Sequence, residues 1–100
     1  MAEVIFEVPT SNAAKLAALT GDDTVSRQSI TTREAGALGL PGNILFVRIT
    51  GSDAGVERAK QLATETELGK LLGPEDAAKV AKAIDDEEAS AAEGMGLIDF

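Results

Sequence analysis

Apolar and polar side chains alternate along Glu3-Val4-Ile5-Phe6-Glu7-Val8. A period of two predicts a strand. Val4, Phe6 and Val8 share one face of it, and Glu3, Ile5 and Glu7 the other. Pro9 lacks an N–H and ends the pairing. Ser11 or Asn12 then suits the cap of a short helix through Leu19, with Ala13, Leu16 and Ala17 on one side and Gly21 after its end. Residues 24–33 are rich in β-branched side chains but poor in apolar ones, the profile of an edge strand. Residues 34–43 carry Gly36, Gly39 and Gly42 and predict a loop or a broken turn. Ile44-Leu45-Phe46-Val47-Arg48-Ile49 follows as the most apolar run in the chain and predicts a central strand, closed by Gly51.

The period then changes from two to 3.6. Ser52 or Asp53 caps a helix to about Glu65, with Val56, Ala59, Leu62 and Ala63 turned inward. Thr64 and Glu67 have the spacing of a capping box, and Leu68, Leu71 and Leu72 recur at helical intervals, so the helix is expected to break and restart there. Gly73-Pro74 marks a stop and a new start. The next helix carries Ala77, Val80, Ala81 and Ile84 on one stripe and ends in Asp85-Asp86-Glu87-Glu88. Leu97-Ile98-Asp99-Phe100 offers a short last strand.

This order, β-α-β-β-α-α with an optional last strand, predicts an α+β two-layer sandwich. It is ferredoxin-like, or a variant of that layout with an extra C-terminal helix. Another α/β sandwich is the alternative. All of residues 1–100 form one domain, with 74–100 an acidic C-terminal helical segment. Two lysines and eight of the seventeen acidic residues fall in that segment, so it carries most of the net charge of −8. Nucleic acid and anionic membranes are poor partners for such a chain, because both call for a positive field. The N-terminus has no basic region before its apolar stretch, and no run reaches the roughly 18 apolar residues of a membrane span. A cytoplasmic location is the expectation.

His, Cys, Tyr and Trp are all absent. The commonest general acid/base and the thiol nucleophile are therefore missing, as are the usual soft metal ligands. No arrangement of carboxylates, lysines and hydroxyls reads as an active site, so a non-enzymatic protein without a cofactor is expected. Three features remain. The second face of the paired strands, with Ile5, Ile44, Phe46 and Arg48, is too apolar to stay bare. It is expected to be covered by the C-terminal segment or by a second copy of the chain. The 34–43 loop offers Gly36, Leu38, Gly39 and Leu40 as a contact or small-ligand surface. It lacks the Gly-Lys-Ser/Thr of a phosphate loop. The run Asp85, Asp86, Glu87 and Glu88 is a solvated face or, as a weaker alternative, a divalent-cation site. Consecutive helical carboxylates diverge, and calcium wants six to eight oxygens on a turning loop. The leading expectation is a binding or regulatory module that self-associates through a sheet face, as a homodimer or with another protein. A small-ligand or divalent-cation sensor is the alternative.

Overall fold

The computed structural model describes the backbone over residues 2–98 and the side chains over residues 2–89. Strand β1 (Ala2–Pro9) leads into a 3-10 segment (Thr10–Leu16) and a single α-helical turn, α1 (Ala17–Thr20). A short 3-10 turn (Val25–Arg27) precedes β2 (Ser29–Glu34), and another (Ala35–Leu38) precedes β3 (Ile44–Gly51). Helix α2 (Asp53–Glu65), the two-residue strand β4 (Lys70–Leu71) and helix α3 (Pro74–Ile98) complete the chain. The sheet order is β2-β3-β1-β4, with every neighbouring pair antiparallel. The domain is a small α+β fold, and its strand order is consistent with a ferredoxin-like layout.

Both central strands are the ones with the densest apolar content. Phe6 lies opposite Val47 on one side and Leu71 on the other, while Ile30 lies opposite Ile49. Partners across antiparallel strands share a face. Val4, Phe6, Val8, Val47 and Ile49 thus join Leu19, Val25, Val56, Ala59, Ala63 and Leu68 in a first core. On the opposite face Ile5 and Phe46 join Ala35, Val80 and Ile84 in a second. The sheet is therefore covered on both sides, by α2 and the early turns on one and by α3 on the other.

Four local expectations are corrected. The fourth strand follows α2 directly, and the extra helix comes after it. The stretch around Leu71 is this strand, not a restarted helix. Its pairing depends on close approach: a Cβ on Gly69 would sit 2.3 Å from the carbonyl oxygen of Glu7. Thr64 and Glu67 form no capping box. Instead α2 ends in a Schellman motif, with Leu68 N–H donating to the Ala63 carbonyl and Glu67 N–H to that of Thr64. Glu67 adopts a left-handed φ of 52°, a position that usually falls to glycine. The first connection is mostly 3-10, and neither Ser11 nor Asn12 caps it. Asn12 Nδ2 donates instead to the carbonyls of Glu67 (3.4 Å) and Leu68 (3.0 Å). Leu97 and Ile98 belong to α3, not to a last strand. Asp99 and Phe100 lie outside the described residues.

Ser52 and Pro74 do act at helix starts. Ser52 Oγ accepts from Gly55 N–H at 3.1 Å, and Pro74 is the first residue of α3. No helix among the described residues is long and apolar enough to cross a membrane.

Candidate functional site

The three sequence features come together on the second face of the sheet. Ile5 and Phe46 are buried there, and Ile44 packs beside them half-buried. The loop supplies Leu38, which packs against the same cluster. Gly39 has a left-handed φ of 73° and closes the 3-10 turn that positions Leu38. Gly36 is exposed, and nothing lies within 4 Å of where its Cβ would be. From α3 come Val80 and Ile84, with Ala77 and Ala81 beside them. The stripe read from the sequence is the face that docks.

The acidic run of α3 is paired residue by residue. Arg48 Nη1 donates to Asp85 Oδ1 at 2.9 Å, and its Nε is in close ion pairing with Glu3. The hydrogen bond to Asp85, followed by Glu3, raises the Arg48 pKa above its ordinary value, against the opposing effect of burial. Arg33 Nε donates to Glu87 Oε2 and its Nη2 to Glu88 Oε1, each at 3.1 Å. Asp86 pairs with Lys82 one helical turn away, at 3.3 Å. The four carboxylates are thus divided among three cations, with Glu87 and Glu88 sharing Arg33. Among the described residues no group of three acidic side chains is placed to hold a metal ion. Arg33 is the residue that sequence reasoning missed. Its signal was the pattern: it falls on the same strand parity as Thr31, which lies opposite Arg48.

At the β4 end of the same face lies an open groove of about 340 Å³. Its floor is Leu40, Phe46, Leu72 and Val80, and its rim is Glu7, Lys70, Asp76 and Lys79. Glu7 and Lys70 are direct cross-strand partners. Asp76 and Lys79 stand three apart on α3, close enough to pair. None of the four forms an ion pair with a described residue. Leu40 reaches the groove from the loop and is 38% exposed.

The first face holds a different polar centre. Asp22 Oδ2 accepts from Thr24 N–H (3.1 Å) and Val25 N–H (3.0 Å), and Oδ1 accepts from Arg58 Nε at 3.3 Å. The Val25 hydrogen bond is the main reason its pKa lies below the ordinary 3.8, with burial opposing and Arg58 assisting. Asp23 is engaged by Arg27 at 3.0 Å. Both acids thus serve the turn before β2.

Among the described residues, the charged groups of the second sheet face act as fasteners or as a rim. No family model matches the chain, and comparison with curated proteins and with solved structures finds no similar protein.

Proposed function

We propose that the protein is a non-enzymatic interaction module in which α3 is a releasable cover for the second sheet face, and that two copies associate by exchanging it. The observation that supports this reading is the lopsided division of the core. Eleven buried residues hold the first face, whereas five hold the face under α3. Partly buried Leu38, Ile44, Leu72, Ala77 and Ala81 border that smaller cluster, and ion pairs through Arg33 and Arg48 complete the attachment. Partly exposed ion pairs of this kind contribute about 0–1 kcal/mol each. Exchange preserves every one of these contacts, since each α3 meets the same residues on the partner's sheet. Exchange of an identical element is a low-cost route to dimers. The two-residue connection Leu72-Gly73 is short, and short hinges favour the exchanged form.

Light scattering after size exclusion tests this reading. The dimer fraction should rise with protein concentration. Deleting Gly73 should increase it, and lengthening the connection by several glycines should return the monomer. A protein that stays monomeric in all three forms, or dimerises regardless of connection length, would contradict the proposal.

A further inference from the structure

We propose that the groove at the β4 end of α3 binds a zwitterionic small molecule with an apolar side chain, the chemical class of the apolar α-amino acids. The argument starts from size. About 340 Å³ is at the lower end of small-molecule sites, which run from roughly 300 to 1,000 Å³. Charge then narrows the class. Two cations, Lys70 and Lys79, and two anions, Glu7 and Asp76, surround the groove, and all four are without an ion-pair partner among the described residues. A purely anionic ligand would meet the two acids, and a purely cationic one the two lysines. A ligand with both charges offers a carboxylate to Lys70 and Lys79 and an ammonium to Glu7 and Asp76. Hydrogen bonds between charged groups are the stronger kind.

The floor supplies the third requirement. Leu40 and Leu71 are the large hydrophobic residues exposed among those described, and Leu40 belongs to this groove with Phe46, Leu72 and Val80 beneath it. An apolar side chain on the ligand would remove that surface from water, which favours binding. The bound molecule would touch β1, β4, the loop before β3 and α3 together, and so would fasten α3 in its docked position. None of this depends on exchange of α3 between copies.

Titration of the whole chain with L-leucine, followed by amide NMR, tests the proposal. Saturable shifts are expected at Leu40, Lys70, Leu72 and Lys79. Leucinamide, which lacks the carboxylate, and 4-methylpentanoate, which lacks the ammonium, should each bind about tenfold more weakly or worse, as should glycine. Lys79→Gln should narrow the gap between leucine and leucinamide, and Asp76→Asn the gap between leucine and 4-methylpentanoate. Both positions are exposed on a helix, and spectral dispersion reports whether each variant is folded. The proposal is overturned if leucine, isoleucine, methionine and phenylalanine all leave the groove amides unshifted at millimolar concentration. Equal binding of the charge-deleted analogues, or binding indifferent to both substitutions, would overturn it as well.

Discussion

The two faces of the sheet use the same strands and are held by different physics. On the first face Val4, Phe6, Val8, Val47 and Ile49 meet α2, α1 and the early turns through apolar contact, with Val8, Val47, Ile49 and Leu68 at zero exposure. On the second, alanines and two larger side chains from α3 meet Ile5 and Phe46, and arginines on β2 and β3 hold the acidic run. Apolar burial is insensitive to salt at moderate concentration, whereas ion pairs between partly exposed groups are screened. One domain can thus have one face that sets its global stability and another that opens first. Such divisions into sub-global units are a general property of folded proteins.

Two substitutions at matched aromatic positions should break or establish this contrast. Phe6→Asp places a charge in the first core and should abolish cooperative folding. Phe46→Asp should cost roughly 3–5 kcal/mol locally, seen as loss of helicity and of amide protection in α3 while β1 and β3 stay protected. If Phe46→Asp unfolds the whole sheet instead, the two cores are one cooperative unit. The next largest effect concerns the arginines. Arg33→Ala with Arg48→Ala should lower stability by about 1–2 kcal/mol in total at low salt, from about 0–1 per pair. Raising salt should shrink the difference from the parent, and native-state hydrogen exchange should place the loss in α3. A loss shared evenly by α2 would count against a polar attachment confined to one face.

The smallest effect lies on the first face, at Asp22. Its folded pKa is depressed, so its ionised form contributes stability fully at pH values above the ordinary 3.8 and loses that contribution as pH falls through the folded value. The stability gap between the parent and Asp22→Asn should therefore be constant near neutrality and close during acid titration below about pH 4. A gap that persists at the acid end would show that the amide fails for a reason other than charge.

The contrast between the faces also explains what was readable in the chain. Strand geometry placed Val4, Phe6 and Val8 together, Ile5 opposite them and Phe46 opposite Val47, because successive side chains point to opposite faces. The unbroken apolar runs Val4-Ile5-Phe6 and Ile44-Leu45-Phe46-Val47 are what burial on both faces leaves in a sequence. The docking stripe of α3 was equally plain, since Ala77, Val80, Ala81 and Ile84 repeat at helical intervals. β4 was not readable. Two residues have no period, and the strand exists because Gly69 lets the chain approach β1 and Leu68 anchors it in the core. The acidic run was legible as charge but not as fastening, since the arginine partners of Asp85, Glu87 and Glu88 lie more than 35 residues away in sequence. Of the groove, Leu40 and Phe46 were legible as contact candidates, but not the groove itself. Its four charged residues come from three elements brought together by pairing and docking.

The position of β1 has a consequence for how the chain comes into being. β1 is made before both of the strands that flank it, β3 and β4, and lies between them in the finished sheet. It ends at Pro9, and β3 runs from Ile44 to Gly51. At 5–20 residues per second of synthesis, β1 waits roughly 2–8 s for its first neighbour. Throughout that interval Val4-Ile5-Phe6 has neither of its neighbouring strands. The acids at positions 3 and 7 bracket this segment. In the finished protein Glu3 binds Arg48 and Glu7 borders the groove. In the nascent chain the same two charges keep the apolar stretch from meeting another of its kind, as gatekeepers do beside hydrophobic strands.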